Sequence, residues 1–366
     1  MKLNKLCTLF LSLIAVLGSV LCCPISEEKD EINYAVRQES LAFLSTSTNE
    51  LYNSSLKSVV SIFNYKKGEF NSLGSGFIYY EEENYQYIIT NHHVINGGDS
   101  YRVMSYLGQI KKATLLGSDK YLDCALLKVE TLDGTVKAKF KNDDYRLITN
   151  PIPGEEAYAI GNPGSIENYG TISKGIVAAV DRNPLNYSFE KAEYAIQIDL
   201  TLNPGNSGGP LFDMNGNVIG VTTFKVNEIQ GVVYKGLNYC LPIQDVLCIV
   251  ESIRKTGSFS RVSVGKNTYH MVNELSLYQK GYLGVPDEIN EGTMVINFAS
   301  DNKLEIPLYS IIYSINGHKI TSLAEYRRRL YEVSPGDEVT LKYYEYSANG
   351  YSSLKETNVK TILLTL

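Results

Sequence analysis

The chain has 366 residues, about two domains' worth. Its 34 Lys and Arg against 40 Asp and Glu leave a formal charge of −6, which argues against the cationic surface of a nucleic-acid binder. With 44% apolar residues, 28 Tyr, 29 Gly and no Trp, it can fill real cores and leans towards β structure.

Lys2 and Lys5, an uncharged run from Leu6 to Cys22, and then Glu27-Glu28-Lys29-Asp30-Glu31 give residues 1–23 the basic, apolar and polar regions of a secretory signal. The run is close to the shortest that spans a bilayer, roughly 17 residues, so an uncleaved anchor is the rival reading. Val20-Leu21-Cys22-Cys23 resembles a loose bacterial lipobox, with Cys22 where a small residue normally stands. Cleavage with and without lipid attachment both stay open. Export to a periplasm or cell envelope is expected, with membrane contact only through the signal or a lipid. Cys124, Cys240 and Cys248 lie in apolar runs and read as buried free thiols. There is no HExxH and no CxxC, so no metal is expected.

Residues 24–56 are polar with scattered apolar positions and read as a tether with a short helix or arm. From Ser58 the grammar changes. Ser58–Phe63, Gly76–Tyr80, Tyr87–Thr90, Ala113–Gly117 and Leu122–Val129 are β-branched or aromatic runs broken by Gly, Asn or Asp. The same holds for Glu156–Ile160, Thr171–Val180, Tyr194–Leu200, Val218–Phe224 and Leu237–Leu241. At least ten short strands with turns between them predict an all-β barrel or sandwich. Ile243, Val246, Leu247, Val250 and Ile253 after Pro242 predict the first substantial helix. A basic, Ser-rich stretch, 257–280, reads as a linker between a unit at 57–256 and a smaller one at 281–366. The smaller unit has strands at Thr293–Phe298, Ile311–Ile315 and Glu338–Tyr344, and a capping box Ser322-Leu323-Ala324-Glu325 that starts a helix.

Three stretches carry chemistry together. In Asn203-Pro204-Gly205-Asn206-Ser207-Gly208-Gly209-Pro210, a Ser on a tight turn is exposed as a nucleophile, and the N–H groups of Gly205 and Ser207 can converge on an oxyanion. Alone, this is equally an ordinary Gly-rich loop. Thr90-Asn91-His92-His93-Val94 offers an imidazole base at a strand end. Asp123 is flanked by apolar Leu122, Cys124, Ala125 and Leu126, where a carboxylate needs a donor. A base, a carboxylate and a nucleophile on a β scaffold suit acyl transfer.

These motifs resemble the HtrA/DegP group of trypsin-like serine proteases. Gly74-Ser75-Gly76-Phe77, Thr90-Asn91-His92-His93-Val94, Gly117-Ser118-Asp119 with Asp123-Cys124-Ala125-Leu126-Leu127, and the Ser207 loop are similar to its motifs in order and spacing. So are Gly161-Asn162-Pro163 and Gly175-Ile176-Val177. The resemblance implies two six-stranded antiparallel β-barrels followed by a small PDZ-like α+β domain. It implies the triad His93, Asp123 and Ser207, with an oxyanion hole at Gly205 and Ser207. His93 rather than His92 fits the motif. It further implies Thr201 at the base of the primary specificity pocket, with Ile198, Leu200 and Phe224 near its walls. Gly281-Tyr282-Leu283-Gly284-Val285 resembles a PDZ carboxylate-binding loop, with a peptide strand added beside Gly284 and Val285.

The function implied is an exported, ATP-independent endopeptidase of unfolded or damaged envelope proteins. C-terminal peptides are expected at the PDZ-like unit, and a homotrimer through Tyr34, Phe43 and Tyr52. No cofactor is expected, since no Walker-type run occurs. The rival function is a catalytically silent chaperone or adhesin on a protease scaffold.

Overall fold

The computed structural model describes residues 50–182, 194–225, 228–229, 232–233, 237–264, 267–272, 275–298 and 306–363. The signal, Tyr34 and Phe43 lie outside them. Six strands close the first barrel: β1 (Val59–Lys66), β2 (Glu69–Glu82), β3 (Tyr85–Thr90), β4 (Ser100–Met104), β5 (Ile110–Asp119) and β6 (Cys124–Glu130), in the order β1-β2-β3-β6-β5-β4. A second closes from β7 (Glu156–Gly161), β8 (Thr171–Arg182), β9 (Ala195–Ile198), β10 (Pro210–Asp213), β11 (Val218–Lys225) and β14 (Asn238–Pro242), in the order β10-β11-β14-β9-β8-β7. Between β11 and β14 lies a two-residue hairpin, β12 (Glu228–Ile229) and β13 (Val232–Val233). All pairings of both barrels are antiparallel.

The apolar runs are continuous because alternate residues serve two cores. Val60, Ile78, Ile88 and Leu127 fill the first barrel. Their neighbours Val59, Phe77, Ile89 and Leu126 face outwards into a cluster shared with Phe212, Val221 and Leu241 of the second barrel. Ile196, Ile198, Leu200 and Leu211 fill the second barrel itself. The predicted helix is α3 (Ile243–Thr256), entered from Pro242 and ended by Gly257 at φ 80°. Its Ile243, Val246, Val250 and Ile253 cover the shared cluster, so burial of this apolar stripe ties the barrels together. The three cysteines are free and buried.

Three expectations change. A short helix, α1 (Glu50–Leu56), ends the segment expected as a tether. Leu56 is buried in the shared core, and Tyr52, expected to serve trimer contacts, donates its hydroxyl to the Gly170 carbonyl at 2.8 Å. His92 and His93 lie on a single helical turn, α2 (His92–Ile95), not on a strand. Most of the expected linker belongs to the smaller unit: β15 (Val262–Ser263) and β16 (Asn267–Met271) lie within 257–280, as does the start of α4 (Leu277–Leu283). A polar strand at a sheet edge carries little apolar pattern, which is why composition read it as a linker.

That smaller unit has an antiparallel sheet ordered β16-β17-β18-β20-β21. Its strands are β17 (Thr293–Phe298), β18 (Ile311–Ile315), β20 (Glu338–Ser347) and β21 (Gly350–Lys360), while β19 (His318–Lys319) pairs with β18. The short β22 (Ile362–Leu363) pairs with β15. Helix α5 (Leu323–Tyr331) buries Tyr326 and Leu330 against Val262, Val264, Ile312 and Leu341. Its cap is half the predicted box: Ser322 accepts from Glu325 N–H, while the Glu325 carboxylate turns to Arg328 and Arg329.

Candidate active site

Asp123 closes the β5–β6 turn in the left-handed region at φ 58°. Its main-chain carbonyl accepts from His92 N–H at 3.1 Å and from the Asn91 amide at 2.8 Å. Its carboxylate thereby reaches α2. Oδ1 accepts from His93 N–H at 2.9 Å, and Oδ2 lies 2.7 Å from His93 Nδ1. His92 points away, with Nδ1 3.0 Å from the Ser118 hydroxyl. The carboxylate therefore fixes the His93 tautomer that carries its proton on Nδ1 and leaves Nε2 basic.

Ser207 stands on the loop between β9 and β10. Its hydroxyl donates to the Thr223 carbonyl at 2.9 Å, so it must turn from that carbonyl to hand its proton to an imidazole. The neighbouring N–H groups are engaged, Asn206 with Asn203 and Gly208 with Thr222. Among the described residues, those of Gly205 and Ser207 donate to no atom of the chain. Two free N–H groups flanking one residue are what an oxyanion needs. The loop is built around glycine: at Gly205, φ 100°, a Cβ would sit 2.2 Å from the Asn162 carbonyl.

Residues that sequence reasoning missed hold this arrangement. The Thr223 hydroxyl donates to Asp123 Oδ2 at 2.6 Å. Ser75 of β2 is fully buried; its N–H donates to the Ser207 carbonyl at 2.9 Å, its hydroxyl donates to the Gly205 carbonyl at 2.6 Å, and that hydroxyl accepts from Asn162 N–H at 3.0 Å. One barrel thus clamps the loop of the other. For Ser75 a signal existed, since it stands in the Gly74-Ser75-Gly76-Phe77 motif and a buried hydroxyl must find a partner.

The trypsin-like peptidase domain family matches residues 74–221. The chain is 33% identical over 326 residues to the serine protease Do-like HtrA of Bacillus subtilis, covering 87% of this chain and 70% of that one. This chain belongs to the HtrA/DegP family of trypsin-like serine proteases. It is a serine endopeptidase of that type. It is also 32% identical over 294 residues to a probable periplasmic serine endoprotease, DegP-like, of Bartonella henselae, covering 80% of this chain and 53% of that one. In structure it is similar to the HtrA-type protease AlgW solved with a tripeptide, at TM-score 0.64 and 26% identity over 86% of this chain and 97% of that one.

The remaining expected site residues do not all fall where the HtrA resemblance put them. Thr201 is exposed. Ile198 and Leu200 are both buried in the core of the second barrel. The Phe224 side chain lies outside what the structure describes. Gly281, Tyr282 and Leu283 form the last turn of α4, not an extended loop. The full capping box between Ser276 and Gln279 starts that helix, and Gly284 caps it at φ 62°. The N–H groups of Gly284 and Val285 are taken by Gly281 and Lys280, and Pro286 cannot extend a strand ladder. Tyr282 is exposed and Val285 buried. In this structure the segment is therefore helical rather than extended.

Proposed function

We propose that Ser207 Oγ attacks the scissile carbonyl while His93 Nε2 takes its proton and later returns it to the leaving amine. Asp123 holds the imidazole and stabilises its charged form, and the Gly205 and Ser207 N–H groups bind the oxyanion. The observation that carries this reading is the 2.7 Å contact between His93 Nδ1 and Asp123 Oδ2. A fluorophosphonate probe tests it: labelling of the wild type that disappears in Ser207→Ala supports it. A folded wild type that takes no label overturns it and favours the silent scaffold.

The substrates proposed are unfolded proteins outside the cytoplasm, degraded without nucleotide. The signal-like residues 1–23 and the relative named periplasmic support the location. Peptide capture by the PDZ-like unit is proposed at β16 rather than at 281–285. Among the described residues that strand is at the sheet edge, pairing with β17 and packing beside α5, the setting in which an extended ligand adds as a strand. A homotrimer is proposed through residues 24–50. Light scattering of the chain with and without them checks this, and a monomer in both ends it.

A further inference from the structure

Arg261 reaches out of the smaller unit to the turn that carries Asp123. Its Nη2 donates to Asp119 Oδ1 at 2.6 Å and its Nε to Asp119 Oδ2 at 3.1 Å. Both side chains are buried, 5% and 9% exposed. Asp119 ends β5, and the same Oδ1 accepts from Tyr121 N–H at 3.0 Å and Leu122 N–H at 2.6 Å. One carboxylate therefore ties the whole 119–122 turn, and the next residue is Asp123 in its left-handed conformation. On the other side the guanidinium lies between two rings, 5.4 Å from Tyr121 of the turn and 5.2 Å from Tyr331 of α5. Nη1 also donates to the Tyr331 hydroxyl at 3.0 Å. The Tyr331 ring is braced edge-on by Phe259 at 5.8 Å.

We infer that Arg261 is a positioning residue for the triad, setting the pose of Asp123 through Asp119. The inference rests on the reading of Asp123 as the carboxylate that orients His93. A buried bidentate pair fixes both distance and plane, and Asp119 has no slack, since each of its oxygens is engaged by Arg261. Without the guanidinium, Asp119 is left as a buried, half-satisfied charge. It must then turn towards water and release Tyr121 and Leu122. Asp123 follows them. A second cross-unit pair, Arg328 with Asp245 of α3 at 2.5 Å, docks the same unit without touching this turn, and so separates docking from positioning.

Full-length variants are compared for turnover of a peptide ester and for melting temperature. Arg261→Met is expected to lower kcat about 10- to 100-fold with little change in KM, the scale of a misplaced group in a preorganised site. Arg261→Lys, which keeps the charge but loses the fork, should fall between. Arg328→Met should lower the melting temperature and leave kcat within about twofold. In an Asp123→Asn background, Arg261→Met should subtract nothing further, because both act through one carboxylate. Normal kcat in Arg261→Met, or in Arg261→Lys if the Met variant does not fold, overturns the inference while Asp123→Asn is inactive. An equal loss in Arg328→Met also overturns it. Near-normal turnover in Asp123→Asn overturns the triad reading instead.

Discussion

The hydroxyl of Thr223 donates to Oδ2 of Asp123 at 2.6 Å, the same oxygen that lies 2.7 Å from Nδ1 of His93. The Thr223 carbonyl, in turn, accepts from the Ser207 hydroxyl. A single residue of β11 therefore touches both ends of the proposed triad. A hydrogen bond to a charged group is worth about 1.5–3 kcal/mol. Thr223→Val, nearly the same shape, should therefore lower kcat on the order of 10- to 100-fold. Thr223→Ser should restore most of it. Equal turnover in the Val and Ser variants would remove the hydroxyl from the mechanism.

Gly205→Ala tests the oxyanion site without touching a reacting side chain. The new methyl would meet the Asn162 carbonyl at 2.2 Å with φ at 100°, so the loop must move and carry the Gly205 N–H off its line. Loss of one oxyanion donor costs about 10²–10³ in kcat. The strain should also lower stability by at least about 1 kcal/mol. Peptide-ester kinetics beside thermal melting will show both, and unchanged kcat would mean the donor is not there.

The proposed site is legible partly from local chemistry and partly from the HtrA/DegP resemblance, which selects His93 over His92 and groups the three residues. The Ser207 loop, an imidazole at a strand end and a carboxylate among apolar residues are each weak alone and gain weight as a set. Strands with apolar runs show over a few positions. What could not be read depends on register. Thr223 in a β-branched run reads as strand propensity until β11 and the β5–β6 turn are seen side by side, 100 residues apart. Arg261 looks like a linker cation because its partner is 142 residues away. At 281–285 the family resemblance implies a carboxylate-binding loop, while the local signal, the Ser276 and Gln279 capping box, lies just upstream and directs a helix.

The Asp119–Arg261 pair predicts a pH signature in stability. Burial pushes the Asp119 carboxyl up, but Arg261 and the Leu122 and Tyr121 N–H groups outweigh it and hold the group below its ordinary value. A carboxyl depressed on folding stabilises the protein above its unfolded pKa of about 3.9. That stability is lost as pH falls through the lower folded value. At pH 7, Asp119→Asn should cost about 3–5 kcal/mol, since it removes a buried charge bonded to Arg261. Urea unfolding should show this gap hold steady from pH about 7 to about 5 and shrink only as pH falls through the unfolded value of about 3.9 and on towards the lower folded one. A gap that stays constant below about pH 4 would show that the charge of Asp119 contributes nothing.

The bond that is cut follows from what the primary pocket lacks. Thr201, six residues before Ser207, is expected at its base and is exposed. It offers a hydroxyl and a methyl, and a basic side chain entering there would lose water without gaining a counter-charge. The nearest carboxylate along the chain, Asp199, is engaged: its Oδ1 accepts from Ile176 N–H at 2.6 Å, which holds it to β8. Ile198 and Leu200 are buried in the barrel core, so any apolar lining they give should be shallow. Cleavage is expected after small and medium aliphatic residues such as Val, Ala, Ile and Leu. Discrimination among them should be weak, because one methylene is worth only about 1–3 kcal/mol. Mass spectrometry of peptides released from an unfolded protein reads the preference directly. A majority of cuts after Arg or Lys would remove Thr201 from the pocket while leaving the triad untouched.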